Sequence, residues 1–352
     1  MADNWKKRIA VTGGAGFIGS NFLLYLVDKY PDYFFVNIDA LTYAGNLSNL
    51  VSIEGKSNYR FVKLSICDFE GLGRCFIEND IDSVIHLAAE SHVDRSIYGP
   101  ASFVETNIGG TFNLLEQARR RLADGVGFRF YQVSTDEVYG ALPPEGTFTE
   151  ESPYRPNSPY SASKAGADHL VRAYHKTYGL DTVISNSSNN FGPFQFPEKL
   201  IPLSVRNALA GKTIPVYGDG LQVRDWLYVA DHCRALDAIF HRGRPGGGYA
   251  VSARNEMTNL DLVRTICRII DDLRGGGPRE ELIELVADRP GHDRRYALDP
   301  NLLESELGWS ATADFHDALE QTVRWYLDHA DWLERCISGE YRTYYEQVYG
   351  KR

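Results

Sequence analysis

The chain has 352 residues, 43% hydrophobic and 24% charged, a composition typical of a folded protein of about two domains. Its net charge of −10 argues against a nucleic-acid partner, since a phosphate backbone needs a basic stripe. No apolar run reaches the roughly 18 residues of a membrane span, so we expect no membrane partner. The five cysteines are widely spaced and include no CxxC pair, which predicts reduced thiols, a cytoplasmic protein and no metal site.

The first half of the chain alternates short apolar runs with amphipathic stretches. Strands are predicted at 8–12, 33–38, 83–88 and 128–133, and the clearest helices at Phe17–Lys29 and 103–122. Buried strands separated by helices indicate a parallel sheet that is covered on both faces. We therefore predict an α/β protein with a Rossmann-type doubly wound parallel sheet.

The second half differs in composition. Asparagine, glycine, proline and phenylalanine concentrate near residue 190, strand-like runs follow at 214–217 and 224–229, and most of the chain after 256 has helical spacing. This pattern predicts a nucleotide-binding domain over 1–190, to which the chain returns near 213–252. A smaller mixed α/β domain, which binds the substrate, is predicted over 191–212 and 253–340.

A glycine pattern lies between the first strand and the first helix, at Gly13, Gly16 and Gly19. Such a turn lets a pyrophosphate approach the free N–H groups and the positive end of a helix. Asp39 follows the second strand, about 20 residues later, where a carboxylate binds the adenosine ribose. No Arg or Lys occurs at 40–52 to neutralise a 2′-phosphate, so the sequence favours NAD over NADP.

Tyr160 and Lys164 are four residues apart and therefore share one face of a predicted helix. An ammonium near a tyrosine stabilises the phenolate and lowers its pKa, which makes a base for a hydroxyl that is being oxidised. Lys164 is also able to hold the nicotinamide ribose. A plain surface pair is the alternative interpretation.

Thr135, Asp136 and Glu137 follow the strand at 128–133, and ligands of parallel sheets bind beyond the carboxyl ends of strands. Two adjacent carboxylates repel each other, so one stays protonated while the other ionises. That pair is the acid and base that an elimination of water requires, and Thr135 is able to donate to a substrate oxygen. An acidic helix cap is the alternative.

Seven motifs occur in order along the chain. They are the glycine turn, Thr135-Asp-Glu, Tyr160-x-x-x-Lys164, Asn189-Asn-Phe-Gly-Pro, Glu198-Lys-Leu-Ile-Pro, Arg224-Asp-Trp and Arg289-Pro-Gly-His-Asp. From about residue 8 to 326 the sequence closely resembles the dTDP-glucose 4,6-dehydratases, a family of extended short-chain dehydrogenases/reductases. The resemblance implies tightly bound NAD, dTDP-glucose as substrate and a homodimer, with 103–122 and 162–178 as candidate interface helices.

The same resemblance implies a mechanism. Tyr160 takes the proton of the glucose 4-hydroxyl while hydride passes from C4 to NAD. Glu137 then removes the C5 proton, Asp136 protonates the departing C6 hydroxyl, and hydride returns to C6. The product is a 4-keto-6-deoxy sugar.

Binding residues also carry over from the family, position by position. The expected cofactor contacts are Gly13, Gly16, Phe17, Ile18, Gly19, Asp39, Ala40, Leu41, Thr42, Ser65, Ile66, Leu87, Ala88, Ala89, Ser91, Thr106, Tyr160, Lys164 and Asn190. The expected substrate contacts are Ser91, Thr135, Asn189, Lys199, Leu200, Pro215, Val216, Tyr217, Arg224, Asn259, Arg289 and His292. Ser65 replaces an aspartate common in the family. An ordinary buried strand at 215–217, a structural ion pair at Arg224 and a surface charge at Arg289 remain alternatives.

Three other functions are compatible with parts of this pattern. A UDP-hexose 4-epimerase needs the oxidation but no acid–base pair for water loss, so Asp136 and Glu137 argue against it. A dehydratase of UDP- or GDP-sugars would keep that pair and differ only in the base pocket. A non-catalytic NAD-binding scaffold would have no need of Tyr160 or Lys164.

Overall fold

The computed structural model describes residues 5–336. Its strands are β1 (Lys7–Thr12), β2 (Tyr33–Asp39), β3 (Tyr59–Lys63), β4 (Ser83–His86), β5 (Arg129–Thr135), β6 (Asp181–Ser187), β7 (Asn189–Phe191), β8 (Ile214–Tyr217), β9 (Val223–Tyr228), β10 (Gly247–Val251), β11 (Glu256–Thr258) and β12 (Ile283–Val286). Within the described range, no helix is both long enough and apolar enough to cross a membrane.

Helices connect and cover these strands. They are α1 (Phe17–Lys29), α2 (Phe69–Glu78), α3 (Val93–Tyr98), α4 (Pro100–Phe103), α5 (Thr111–Ala123), α6 (Pro159–Tyr178), α7 (Leu200–Leu209), α8 (Val229–Arg242), α9 (Asn259–Arg274), α10 (Asn301–Leu307), α11 (Phe315–Asp328) and α12 (Ala330–Cys336). Short 3₁₀-helices occur at Leu47–Ile53, Asp136–Tyr139 and Arg279–Leu282.

Seven strands form one parallel sheet in the order β3-β2-β1-β4-β5-β6-β10, which confirms the predicted doubly wound fold. Every residue of β2 is buried, as expected for a strand with helices on both faces. The direction in which strands are added reverses between β1 and β4. At that point the carboxyl ends of the two strands diverge and leave a crevice for a ligand.

The helix predicted at 103–122 is interrupted by a π-helix at Val104–Gly110, between α4 and α5. Asn107, buried inside this turn, donates to the carbonyl of Glu90 at 2.9 Å and to Ser163 Oγ at 2.8 Å. These tertiary contacts hold the wider turn, which the local spacing of apolar residues does not reveal. The same turn brings Thr106 to the crevice.

A smaller lobe lies beyond the large sheet. In it β9 pairs with β7 and β11, β8 pairs with β12, and the helices α7, α9 and α11 share one apolar core. Of the returns predicted near 213–252, β10 joins the large sheet and α8 packs against α1, whereas β8 and β9 belong to the smaller lobe. The reason is that Ile214 and Val216 pack into the core that the helices of this lobe share.

Asp237 on α8 ties that helix to the end of α1. Its carboxylate accepts hydrogen bonds from Lys29 Nζ at 2.6 Å and from Tyr30 Oη at 2.9 Å, and His241 Nδ1 lies 2.9 Å away. Burial alone would raise the pKa of Asp237, but hydrogen bonds from His241, Lys29 and Tyr30 outweigh it and lower the pKa to about 2.

We expect Asp237→Asn to lower the free energy of unfolding at neutral pH by roughly 1 to 2 kcal/mol, allowing for partial solvent screening. Because the folded-state pKa is depressed, the advantage of the native carboxylate is complete above about pH 4 and shrinks as pH falls towards about 2. Urea unfolding of both proteins at stepwise lower pH measures this difference. Equal stability at neutral pH would contradict it.

Candidate active site

A cavity of about 350 Å³ opens at the carboxyl edge of the large sheet. Of the predicted cofactor residues, all except Leu41 line it. Thr135, Asp136, Glu137, Asn189 and Lys199 line it as well, so the structure brings the glycine turn and the proposed catalytic residues to one place. The remaining predicted substrate contacts lie outside this cavity. They are Leu200, Pro215, Val216, Tyr217, Arg224, Asn259, Arg289 and His292.

The glycine turn is shaped by close backbone contacts. Gly13 has a φ of +71°, and a Cβ there would lie 2.6 Å from the backbone nitrogen of Ala88. A Cβ on Gly19 would lie 2.2 Å from the carbonyl oxygen of Gly13. Gly16 precedes α1, and no side chain caps this helix. The turn therefore offers its backbone and the helix N-terminus to a pyrophosphate.

Asp39 lies at the end of β2 and lines the same cavity. Its carboxylate accepts hydrogen bonds from the backbone N–H of Ala15 at 2.9 Å and of Leu41 at 2.8 Å. Burial raises the pKa of Asp39, and these two bonds oppose the effect. Leu41 thus contributes its backbone, in a left-handed conformation with φ of +53°, rather than a side chain in the cavity. The glycine turn, the uncapped helix and this carboxylate together fit a dinucleotide cofactor.

Thr135 ends β5 and begins the 3₁₀-helix that carries Asp136 and Glu137. Its hydroxyl accepts from the backbone N–H of Glu137 at 3.3 Å and donates to Asp136 Oδ1 at 3.2 Å. The cap of this 3₁₀-helix is therefore Thr135, and not an acidic side chain as in the alternative interpretation. Asp136 Oδ2 is buried and has no hydrogen-bond partner within residues 5–336. That unsatisfied oxygen suits a hydroxyl group of a ligand.

The two adjacent carboxyl groups experience different environments. Burial raises the pKa of Asp136 well above its usual range, and the charge of Glu137 adds to this effect. Burial also raises the pKa of Glu137, but Arg289, Arg224 and Lys199 oppose the increase. Of the two carboxyl groups, Asp136 therefore has the stronger tendency to keep a proton. Such a difference between neighbouring carboxyl groups is what an acid–base pair requires.

Tyr160 lies in the first turn of α6, which begins with a capping box formed by Ser158 and Ser161. Burial and the charge of Glu137 raise the pKa of Tyr160, while a hydrogen bond with Thr135 lowers it. The sequence analysis predicted that Lys164 lowers the pKa of Tyr160. This prediction is wrong for the protein without a bound cofactor, because Lys164 Nζ donates instead to the carbonyl of Val133 at 2.9 Å. Formation of the phenolate therefore calls for additional positive charge from a bound cofactor.

Arg224 is buried, and its guanidinium donates to the carbonyls of Val223 at 2.8 Å and Asp293 at 3.0 Å. It also stands 4.4 Å from the centre of the Tyr296 ring. Across residues 5–336 it forms no ion pair with a carboxylate, so the structural ion pair left open by the sequence is absent there. A buried guanidinium whose charge is not neutralised suits a phosphate group.

Arg289 and His292 lie in the loop after β12. Arg289 Nη1 is 3.7 Å from Asp94 Oδ1, and Tyr217 Oη donates to the other oxygen of Asp94 at 2.8 Å. Burial and the charges of Arg289 and Arg224 lower the pKa of His292 to about 4, although Asp288 opposes this effect. His292 is therefore neutral at neutral pH.

Val216, another predicted substrate contact, is a core residue of the smaller lobe.

Glu198 is a cavity residue that the sequence analysis did not select as a ligand contact. Its buried carboxylate accepts from Tyr43 Oη at 3.1 Å and from Arg95 Nε at 3.2 Å. Glu90, Gln195 and Phe196 also line the cavity without having been predicted. Glu198 directly precedes Lys199 in one of the seven motifs, so that motif was the available signal.

Metal-ligating side chains do not cluster in the described range, where no group of three His, Cys, Asp or Glu residues could hold a metal ion. Titratable side chains of both signs do border the cavity. They are Asp39, Glu90, Asp136, Glu137, Tyr160, Lys164, Glu198 and Lys199.

The doubly wound sheet, the glycine turn and the Tyr160–Lys164 pair define an extended short-chain dehydrogenase/reductase. A family model described as GDP-mannose 4,6 dehydratase matches residues 10–322. The dTDP-glucose 4,6-dehydratase of Escherichia coli is 50% identical over 353 residues, covering 95% of this chain and 97% of that protein. The chain therefore belongs to the nucleotide-sugar 4,6-dehydratases and, within them, to the dTDP-glucose 4,6-dehydratase family, which confirms the resemblance.

Solved structures agree with this placement. The dTDP-glucose 4,6-dehydratase of Streptomyces venezuelae, crystallised with NAD, has a TM-score of 0.87 and 47% identity, covering 94% of this chain and 99% of that one. The UDP-glucose 4-epimerase of Thermus thermophilus, in complex with NAD, has a TM-score of 0.81 but only 29% identity, covering 91% and 99% of the two chains. The epimerase and the dehydratase thus share the fold, while the higher sequence similarity is to the dehydratase.

We expect Gly13→Ala to weaken NAD binding by at least about tenfold, because the new Cβ would meet the backbone of Ala88 and the positive φ is strained. Calorimetric titration of NAD into cofactor-free protein measures the effect. Gly55→Ala is the matched control, since nothing lies within 4 Å of a Cβ at that exposed turn. Equal NAD affinity of the two variants would disprove the role assigned to the turn.

Proposed function

We propose that this chain is an NAD-dependent hydro-lyase that converts dTDP-glucose into dTDP-4-keto-6-deoxyglucose and water. The observation that carries the proposal is the unequal pair of carboxyl groups beside Tyr160. The pKa of Asp136 is raised well above its usual range, whereas positive side chains oppose the rise for Glu137, a difference that suits the acid and the base of a water elimination. Membership of the dTDP-glucose 4,6-dehydratase family supports the choice of substrate.

The cofactor site fits NAD. The glycine turn takes the pyrophosphate and the carboxylate of Asp39 takes the adenosine ribose, where it would repel a 2′-phosphate. Bound NAD would supply the acceptor for the hydride of C4 and the donor that returns it to C6. Lys164 borders the same cavity, and its remaining N–H groups are available to the nicotinamide ribose.

Tyr160 removes the proton of the 4-hydroxyl group. Its burial beside Glu137 disfavours the phenolate in the protein alone, so the positive charge that a bound nicotinamide ring would add is what permits ionisation. Thr135 hydrogen-bonds with both Tyr160 and Asp136, which places it to orient the sugar hydroxyl between them.

The resulting 4-ketone acidifies the hydrogen on C5, which Glu137 removes as a proton. Asp136 gives its own proton to the C6 hydroxyl, and this group leaves as water. Glu137 later returns its proton to C5. Over one cycle Tyr160 gains one proton and Asp136 loses one, so both groups are reset by exchange with each other or with solvent.

Positive side chains place the nucleotide diphosphate. Lys199 borders the cavity, while Arg224 and Arg289 lie beyond it in the smaller lobe, and all three act on the charge of Glu137. Guanidinium groups bind two phosphate oxygens at once, whereas an ammonium acts as a point charge. The sugar is thereby held between the diphosphate site and the catalytic residues.

The direct test is incubation of the purified protein with dTDP-glucose and no added NAD, followed by mass spectrometry of the nucleotide sugar. Loss of one water supports the proposal together with retained cofactor. UDP-glucose and GDP-glucose are run in parallel, and turnover of one of these in place of dTDP-glucose would contradict the assigned substrate. Absence of water loss from all three, with NAD supplied, would contradict the proposed activity.

We expect Tyr160→Phe to lower kcat by roughly 100-fold or more while leaving NAD affinity near that of the native protein, because only the proton acceptor is lost. Steady-state kinetics and calorimetric titration measure the two quantities. Tyr30→Phe, which loses a hydroxyl remote from the cavity, is the matched control and should retain kcat. Unchanged turnover of Tyr160→Phe would remove this residue from the reaction.

We expect Glu137→Gln to lower water loss by roughly 100-fold, since an amide cannot accept the C5 proton, while C4 oxidation continues. Quenching the reaction and reducing with borodeuteride should place deuterium at C4 of unreacted sugar. Exchange of the C5 hydrogen with solvent deuterium should cease. Glu304→Gln, at a half-buried surface position, is the control. Continued exchange at C5 would identify another base.

We further propose that the chain forms a homodimer through the exposed apolar side chains of α3, the π-helix, α5 and α6. Tyr98, Val104, Phe112 and Tyr178 are all between 44% and 71% exposed, and they lie on or beside the helices predicted for this role.

The free cysteines, three of them buried, support a second proposal, that the protein is located in the reducing environment of the cytoplasm.

We expect Phe112→Asp to convert the dimer into a monomer, because a carboxylate at an apolar interface would lose its solvation. Light scattering after gel filtration measures the mass. Leu209→Asp, at a similarly exposed position in the smaller lobe, should remain dimeric. A native protein that is already monomeric would contradict the proposed dimer.

A further inference from the structure

Asp168 takes no part in the mechanism proposed above, yet it lies one helical turn beyond Lys164. Tyr160, Lys164 and Asp168 recur every four residues along α6 and therefore share one face of the helix. The first two line the cavity, whereas Asp168 is completely buried outside it. Burial of a carboxylate is unfavourable unless hydrogen bonds and an opposite charge compensate for the lost water.

Four side chains direct polar hydrogens at the carboxylate of Asp168. Ser134 Oγ donates at 2.6 Å, Tyr154 Oη at 3.1 Å, Gln132 Nε2 at 3.3 Å and Asn186 Nδ2 at 3.5 Å. An amide nitrogen donates and never accepts, so these contacts require an acceptor at each oxygen of the carboxyl group. Burial raises the pKa of Asp168, and these hydrogen bonds together with the charge of Lys164 oppose that effect, which favours the ionised form.

Two of those donors, Gln132 and Ser134, belong to β5, the strand that leads into the proposed catalytic residues. Gln132 and Ser134 flank Val133, whose carbonyl accepts the hydrogen bond of Lys164 Nζ at 2.9 Å. Ser134 directly precedes Thr135, and Asn186 Nδ2 also donates to the carbonyl of Thr135 at 3.0 Å. The carboxylate of Asp168 thus fastens the last residues of β5 to α6, the helix of Tyr160.

Lys164 is a buried ammonium that makes no ion pair within 4 Å in the described part of the chain. Burial lowers the pKa of Lys164, and the charge of Asp168 opposes that effect. The titratable groups that act electrostatically with Asp168 come from its own helix and from the neighbouring segments. They are Lys164, Arg172 and Tyr160 on α6, Tyr154 before it, and Tyr139 in the 3₁₀-helix.

We propose that Asp168 is a positioning residue that fixes the end of β5 against α6 and supplies the buried negative charge that keeps Lys164 an ammonium. Its consequence for turnover rests on the proposed function, but its effect on the charge of Lys164 does not. Asp168 does not line the cavity that would hold substrate and cofactor. It acts through Lys164 and Thr135.

The charge of Lys164 is measured directly by NMR titration of protein labelled with ¹³C at lysine Cε. The Lys164 resonance is assigned by its absence from Lys164→Arg. In Asp168→Asn we expect this resonance to titrate at a pH lower by about one or more than in the native protein. Asp237→Asn, which also replaces a buried carboxylate by an amide, should leave it unchanged. An unaltered Lys164 titration in Asp168→Asn would overturn the proposal.

Turnover of dTDP-glucose separates the charge of Asp168 from its hydrogen bonds. We expect Asp168→Asn to lower kcat by roughly tenfold or more with little change in KM, and to move the alkaline limb of the kcat profile to lower pH. Ser134→Ala and Tyr154→Phe each remove a hydrogen bond but keep the charge, so they should lower kcat without moving that limb. A limb that moves equally in all three variants would contradict the assignment. If the native protein proves inactive on dTDP-glucose, the NMR titration still tests Asp168.

A second comparison applies if Asp168→Asn does not fold. The double variant Asp168→Asn with Lys164→Met removes both charges and should fold, because no unpaired buried ammonium remains. Its urea midpoint should lie close to that of Lys164→Met alone. A double variant that is as unstable as Asp168→Asn would show that Asp168 serves packing only.

Discussion

The active site depends on the burial of ionisable side chains of both signs in one region of the protein. Asp136, Lys164, Asp168 and Arg224 are all nearly inaccessible to water, and each would be costly to bury alone. Their mutual fields decide which of them keep a proton. The positive side chains of the smaller lobe oppose the effect of burial on the pKa of Glu137, whereas the pKa of Asp136 stays well above its usual range. The difference between the two carboxyl groups is therefore a property of the assembled lobes.

The topology of the sheet brings these groups together. The crevice at the β1–β4 reversal receives the glycine turn from one side and the end of β5 from the other. Hydrogen bonds from buried side chains then fix the details. Asp39 binds the backbone of two loops, and Asn107 holds the π-helix that presents Thr106. Thus buried polar side chains position the backbone, and the backbone positions the groups that face the ligand.

Much of the fold was predictable because apolar periodicity reports burial. The helix at Phe17–Lys29 has the predicted bounds, and each predicted strand of the first half differs from the observed one by a few residues at most. The π-helix and the membership of β8 and β9 in the smaller lobe were not predictable. Both depend on distant partners, Glu90 and Ser163 in one case and the shared core of α7 and α9 in the other.

The sequence by itself determined which residues form the glycine turn, the carboxyl pair and the Tyr160–Lys164 pair, since local spacing and family motifs encode them. Only the tertiary structure decided their proton states. Tyr160 is held as a neutral phenol because it is buried beside Glu137, and Arg224 remains without a carboxylate partner in the described chain. Desolvation and electrostatic fields depend on what lies within several ångströms in space, and residues far apart in the chain supply them.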